Sequence, residues 1–195
     1  MKIQVSPNLQ MSKEPFKHIS IPNFLDNEDA ESLLNELSNE DFYLEEHDLY
    51  TFMRTIDLEY TSNQIIQEFR EEMLSEKIIK SIESLTDTKL KRNMIELHSL
   101  KLQNTHYLLP HDDRVQKRKI AFILNLTKDF GEDDGGHLEL FNMNDKKEPV
   151  NIVKSIQPKF NQFNLFVVSE KSFHQIREVT GNKERISISG WYYEN

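Results

Sequence analysis

The chain has no cysteine, only 5 glycines among 195 residues, a single tryptophan, and fewer basic than acidic groups. Each shortage removes a class of explanation. Without thiols there are no disulfides, thiolate nucleophiles, zinc ribbons or cysteine-ligated iron–sulfur clusters, so histidine and carboxylate are the strong metal ligands left. The same absence fits a reducing compartment, and a cytoplasmic location is expected. No apolar run approaches the roughly 18 residues of a membrane-spanning helix, and Met1-Lys2-Ile3-Gln4-Val5-Ser6-Pro7 lacks the apolar stretch of a secretory signal. Neither membrane anchoring nor export by such a signal is expected. The balance of 24 Lys+Arg against 33 Asp+Glu leaves a net charge of -9, which repels a phosphate backbone and suits a basic peptide. Nucleic acid is not an expected partner.

What is present is enough for a core: 37% hydrophobic residues, with 12 Phe and 6 Tyr. The length predicts one domain over 1–195. Its texture changes near residue 92 without a Pro/Gly/Ser-rich linker, so 1–91 reads mainly as helical support and 92–195 as a β core. Asp26 offers an N-cap, and Ala30, Leu33, Leu34 and Leu37 follow at helical spacing. Ile65, Ile66, Phe69 and Met73, then Ile78, Ile79, Ile82 and Leu85, repeat that spacing. These three amphipathic helices must cover something apolar. Short aromatic-rich runs beginning at Ile120, Leu138, Asn164 and Ile186 supply it, with turn signals at Asp133-Asp134-Gly135-Gly136 and Gly181-Asn182. The expected fold class is mostly β with flanking helices, a sandwich or barrel of largely antiparallel strands.

His111 and Asp113 follow Pro110, and in an extended segment residues two apart project to one face while Asp112 points away. By itself His-x-Asp is also an ordinary acidic turn. Pro110, lacking a backbone donor, is expected at a strand start or edge, which would put the pair at the mouth of the β structure. The reading sharpens downstream: His174 enters a strand-like segment, and Arg185 opens the last apolar strand with Ser187 on the same side. Two imidazoles and one carboxylate on one face of a metal leave three coordination positions open, the donor set of non-haem Fe(II) oxygenases, and an Arg fork suits a dicarboxylate co-substrate.

These residues sit within Leu108-Leu109-Pro110-His111-Asp112-Asp113, Arg118-Lys119-Ile120-Ala121-Phe122-Ile123-Leu124, Gly135-Gly136-His137-Leu138-Glu139-Leu140, Ile156-Gln157-Pro158-Lys159-Phe160-Asn161, Val168-Ser169-Glu170-Lys171-Ser172-Phe173-His174-Gln175 and Arg185-Ile186-Ser187-Ile188-Ser189-Gly190-Trp191. In that order they resemble the prolyl-hydroxylase-like branch of the Fe(II)/2-oxoglutarate oxygenases, and most of all the catalytic domain of ribosomal prolyl hydroxylases. The resemblance implies a double-stranded β-helix (jelly roll) in which His111, Asp113 and His174 ligate Fe(II), and Arg185 binds the distal carboxylate of 2-oxoglutarate with Ser187 as helper. It implies 2-oxoglutarate and O₂ as co-substrates and a protein or peptide substrate, basic and Pro-containing. Eukaryotic members carry a second domain, and docking through one is not expected within this chain. Relatives place tyrosines near the positions of Leu102 and Asn125, so Tyr107 is the candidate for the hydroxyl beside the co-substrate. The alternatives are hydroxylation of a free amino acid or small metabolite, and a non-catalytic β-helix that binds a ligand or partner.

Other residues keep two readings. His137, close to Asp133, Asp134 and Glu139, reads as part of a solvated face or of a second metal site. His98 and His106 read as structural or pocket-lining. Asp48, Tyr50 and Phe52 are expected in a loop that either anchors to the sheet or meets substrate. Trp191 is expected in the core.

Overall fold

The structure, a computed structural model, describes residues 1–4 and 9–195. Among these the chain runs β1 (His18–Pro22), α1 (Asn27–Leu37), β2 (Tyr43–His47), β3 (Tyr50–Arg54), α2 (Gln64–Met73), α3 (Glu76–Thr86), β4 (Leu90–Leu102), β5 (Tyr107–His111), β6 (Arg118–Asn125), β7 (Leu138–Met143), β8 (Pro149–Ile156), β9 (Gln162–Val167), β10 (His174–Ile176) and β11 (Arg185–Glu194). The strands form one sheet in the order β1-β9-β6-β11-β4-β3-β5-β10-β7-β8, with β2 paired to β3. Lys154 on β8 donates to His18 Nε2 on β1 at 2.9 Å. The two ends of the strand order therefore meet, and the antiparallel sheet is curled on itself as a double-stranded β-helix.

Strand alternation divides the molecule into two apolar clusters. On β6, Ile120, Phe122 and Leu124 face a cluster that includes Leu33, Leu37, Ile66, Phe69, Met73 and Ile79 from the helices. Ala121 and Ile123, one residue out of phase, face the inside of the curled sheet with Leu100, Leu140, Phe166 and Ile176. Each large side chain so buried contributes about 1.5–3 kcal/mol. The helices are started locally: Asn63 Oδ1 accepts from the N–H groups of Ile65 and Ile66 at 3.0 and 3.2 Å, and Ser75 Oγ accepts from Ile78 N at 3.3 Å. Tyr192 of β11 donates its hydroxyl to the Met73 carbonyl at the end of α2 at 2.8 Å, tying helix layer to sheet.

Three expectations change. Asp26 occupies the N-cap position of α1, but its carboxylate caps no helical N–H and accepts from the side chain of Gln4 instead. The first 91 residues supply three strands besides the helices, and the segment expected as a loop around Asp48, Tyr50 and Phe52 is the β2–β3 hairpin. Most of β2 is exposed on both faces, so its sequence carries no apolar alternation to betray it. Pro110 lies at neither a strand start nor an edge. It falls where β5 and β10 lose register: His174 pairs His111, yet Ile176 pairs Leu108, so three steps on β5 match two on β10. A missing donor is tolerated in such a bulge.

Candidate active site

β5 and β10 are hydrogen-bonded neighbours, and their pairing puts the His111 and His174 rings side by side, centroids 4.2 Å apart. Asp113 closes the group from just beyond the end of β5. Its φ of 63° lies in the left-handed region, which Asp enters more readily than most residues. Asp113 Oδ1 is 3.5 Å from His111 Nε2, and Oδ2 is 3.5 Å from His174 Nε2. One donor atom from each residue lies within 4.8 Å of the others, and this is the metal-competent group among the described residues. The tautomers suit a ligand role: His111 Nδ1 donates to the Leu109 carbonyl at 2.9 Å and His174 Nδ1 to the Ser172 carbonyl at 2.8 Å. Each Nε2 is thereby left with its lone pair toward the site, the orientation a metal needs.

Burial works against charge on all three residues, and their mutual contacts decide the outcome. Desolvation would raise the Asp113 carboxyl, but the two imidazoles and the Trp191 indole hold it far below the usual carboxylate range. His174, buried and facing His111, is pushed down to about 4. His111 is raised despite its burial, because Asp113 is its neighbour. A carboxylate flanked by two imidazole Nε2 atoms at 3.5 Å each is a cation-seeking arrangement. Two nitrogens and one oxygen are the donor types Fe(II) accepts, with room for further ligands.

A cavity of about 400 Å³ opens from the triad, and Arg185 also lines it. Arg185 is 1% exposed yet ion-pairs with no carboxylate among the described residues. It is held by neutral acceptors: Nε donates to the Gly136 carbonyl at 2.8 Å, Nη1 to Ser187 Oγ at 2.9 Å and Nη2 to Asn125 Oδ1 at 3.0 Å. Burial lowers its pKa to about 10, which leaves it cationic at neutral pH. A buried guanidinium without a counter-charge is costly unless an anion completes it. Ser187 and Asn125, the latter expected only as a missing tyrosine, orient the Arg185 fork.

Gly136 belongs to this cradle and was legible only as a turn. Its φ is +64°, and a Cβ there would lie 2.9 Å from Arg185 Cδ and 3.1 Å from Phe130 Cε1. Gly136→Ala is expected to cost about 1–3 kcal/mol in stability and to raise the KM for 2-oxoglutarate by displacing Arg185. Thermal unfolding and co-substrate titration check both effects. Unchanged co-substrate KM in a folded variant would remove Gly136 from the cradle.

Tyr107 was the candidate for a hydroxyl beside the co-substrate. It does not line the cavity; Leu108 does, because the β5 bulge reverses the alternation between residues 108 and 111. The phenol at the cavity wall is Tyr50, stacked on Phe52 with centroids 4.6 Å apart. His98 serves in both its readings, lining the cavity while bonded to the Thr55 carbonyl and to Glu96. His106 is not at the wall. His137 is buried at 7% exposure, not on a solvated face, and joins no metal-competent group. Trp191 is half-buried and lines the cavity, where the core was expected. Its parity with Arg185, Ser187 and Ser189 on β11 was the available signal, for all four project to one face.

A curled β-helix with an inward His-Asp-His centre, and a cradled arginine further along one cavity, defines a mononuclear metal site built to receive a carboxylate-bearing ligand. Residues 97–193 match the 2OG-Fe(II) oxygenase superfamily, and the chain belongs to that family. It is 36% identical over 187 residues to the prolyl 3-hydroxylase OGFOD1 of Mus musculus, covering 95% of this chain and 34% of that protein. It is 29% identical over 205 residues to the prolyl 3,4-dihydroxylase OGFOD1 of Ostreococcus tauri, covering 95% and 39%. The chain thus spans little more than a third of the length of these curated relatives. Among solved structures, a Pseudomonas putida prolyl-4-hydroxylase superposes with a TM-score of 0.75 at 17% identity, over 91% of this chain and 92% of that one. The donor set and the uncompensated Arg185 fit the family's Fe(II) and 2-oxoglutarate.

Proposed function

We propose that this chain hydroxylates a prolyl residue of a basic protein in the cytoplasm. The observation that carries the reading is Arg185, a buried cation completed only by an anion and sharing a cavity with the His-Asp-His centre. Bound Fe(II) would let O₂ place one oxygen atom in a substrate C–H bond and the other in 2-oxoglutarate, which leaves as succinate and CO₂. The chain's residues do the rest. His111, Asp113 and His174 hold the metal, and Arg185, with Ser187 and Asn125 fixing its fork, orients the distal carboxylate. Tyr50, Phe52, Leu108 and Trp191 provide apolar and aromatic walls that exclude water and suit a pyrrolidine ring, and Leu49 and Val115 are exposed at 53% each.

The basic character of the substrate is supported by charge. Asp41, Glu46 and Asp48 are exposed on or beside the hairpin whose Leu49 and Tyr50 line the cavity. In the acidic segment Glu132-Asp133-Asp134, Asp134 is already engaged by Lys183 and the Gly131 N–H, so the hairpin group is the freer one. Steering by such groups fades as salt screens them, with a Debye length of about 8 Å at physiological ionic strength. With a Lys/Arg-rich, Pro-containing peptide, kcat/KM is expected to fall by about tenfold as salt rises, with kcat changing less.

Incubation with iron, 2-oxoglutarate and host lysate, followed by mass spectrometry of proteins and metabolites in parallel, tests the assignment. One added oxygen on a prolyl residue is the expected result. Oxygen addition to free proline or another metabolite, tightly coupled to succinate, with none on basic Pro-containing peptides, would replace the substrate by a small molecule.

A further inference from the structure

A second cleft, of about 750 Å³, lies on the helix side of the sheet and shares no lining residue with the active-site cavity. Three elements build it. From α3, Ile78, Ser81, Ile82 and Leu85 stand along one stripe at helical spacing. Opposite them are Ile21 of β1, its ladder partner Phe163 of β9, and Phe24, which stacks on Phe163 with centroids 4.0 Å apart. The third wall is the strap from Leu9 to Lys13, fastened to β1 where Ser12 and His18 exchange backbone bonds of 2.9 and 3.1 Å. Packed interiors leave few voids larger than a water molecule, and a space of this size falls among ligand sites, which run from about 300 to 1,000 Å³. Its charge is opposite to that of the chain. The net charge is -9, yet the charged residues lining the cleft are Lys13 on the strap, Lys17 just before β1 and Lys80 on α3. All three are exposed. Lys80 meets Glu76 at 2.7 Å in an exposed pair that contributes little, and Lys17 reaches only the Thr86 carbonyl, at 3.5 Å. Glu83 of the same helix is turned away, accepting from Leu90 N and Arg92.

We propose that this cleft binds a fatty acid, its hydrocarbon chain against Phe24, Phe163 and Ile82 and its carboxylate at Lys13 and Lys17. Apolar walls alone would suit any oily partner, whereas apolar walls under a rim of lysines with no acid among them suit an anion with a hydrocarbon tail. Lysine stems also cover apolar surface with no ligand in view, but stems that did only that would close the space they cover. Size favours the single chain over a protein segment: a helix about 10 Å across would fill 750 Å³ in about two turns, too short a piece to be held as a helix.

The test is calorimetric titration with sodium laurate, carried out with Mn(II) and 2-oxoglutarate present so that a carboxylate cannot be taken up at Arg185 instead. Saturable binding of one laurate is expected, and it should tighten by roughly tenfold for every two methylenes from octanoate through decanoate to laurate. Dodecyltrimethylammonium, with the same tail and the opposite charge, should bind at least about tenfold more weakly. The double variant Lys13→Glu/Lys17→Glu changes two exposed side chains, so the melting transition should be retained while laurate weakens by about tenfold or more. Leu85→Trp narrows the cleft and should abolish binding of laurate before that of octanoate. Absence of saturable laurate binding, equal binding of the cationic surfactant, or wild-type affinity in the folded double-lysine variant would each overturn the proposal. So would laurate binding that 2-oxoglutarate abolishes, which would put the fatty acid in the active-site cavity. If Leu85→Trp does not fold, the lysine variant and the chain-length series decide alone. Binding of an acidic amphipathic peptide in place of laurate would give the cleft to a protein partner and overturn the fatty-acid assignment.

Discussion

Asp113→Ala is expected to abolish succinate formation, a loss of at least about 10³-fold, or roughly 4 kcal/mol in the activation barrier. Asp113 is the one anion in the donor group, and its two oxygens each lie 3.5 Å from a histidine Nε2. Alanine removes a ligand and its charge together, leaving two imidazoles that repel a cation as soon as either is protonated. The fold should survive, because Asp113 follows the end of β5 and its side chain carries no ladder bond. Circular dichroism establishes that survival, metal content shows the loss of iron, and succinate release shows the loss of chemistry. Wild-type succinate production with unchanged iron in Asp113→Ala would put the ligand elsewhere. His111→Ala and His174→Ala should behave alike, the second with a larger stability cost because His174 is only 3% exposed and packs on Phe166 at 4.5 Å.

The three helices and the apolar strands β6, β9 and β11 could be read from periodicity because each has one wet and one dry side, or two dry ones. Of the strands missed in the sequence, β1, β2 and β8 lie at the margins of the sheet, and there the pattern fails for physical reasons. β8 is exposed over most of its length, with Val150, Ile152 and Val153 at 51%, 47% and 51%, so apolar residues face water and alternation says nothing. The His111, Asp113, His174 and Arg185 set was legible through residue type and order. Its geometry was not. Counting by two from His111 reaches Asp113 downstream and Tyr107 upstream, and neither count holds. The strand ends at His111, so Asp113 reaches the site by a left-handed turn, while the bulge before His111 sends Leu108 inward in place of Tyr107. Bulges next to functional residues re-aim side chains, and a sequence pattern carries no mark of them. On β11, where no bulge intervenes before Tyr192, counting by two from Arg185 works and delivers Ser187, Ser189 and Trp191 to the site side.

That regular strand also makes Arg185 the sharpest test of the co-substrate assignment. Arg185→Lys is expected to raise the KM for 2-oxoglutarate by about 100-fold, close to 2.8 kcal/mol at 1.4 kcal/mol per decade, while leaving iron binding nearly unchanged. Geometry supplies part of the effect. The guanidinium spends its donors on Gly136, Ser187 and Asn125, and this fixes its plane; an ammonium offers no fork to present to a carboxylate. Charge supplies the rest. The burial that lowers the Arg185 pKa to about 10 acts on any cation placed there. A lysine, ordinarily near about 10.4, would be driven toward neutrality at working pH. The sign follows: lowering the pH from about 9 to about 6.5 protonates the lysine and should recover part of the co-substrate affinity in the variant. The wild-type arginine stays charged throughout and should show no such recovery. Neither Lys101 nor Lys119 stands in for it, since Lys101 lies over the Phe42 ring and Lys119 pairs Glu194 at 3.3 Å. Co-substrate titrations of wild type and Arg185→Lys at several pH values decide the matter. Equal KM at neutral pH would remove Arg185 from the carboxylate site, and a weakened but pH-independent variant would show that the fork, not the charge, carries the recognition.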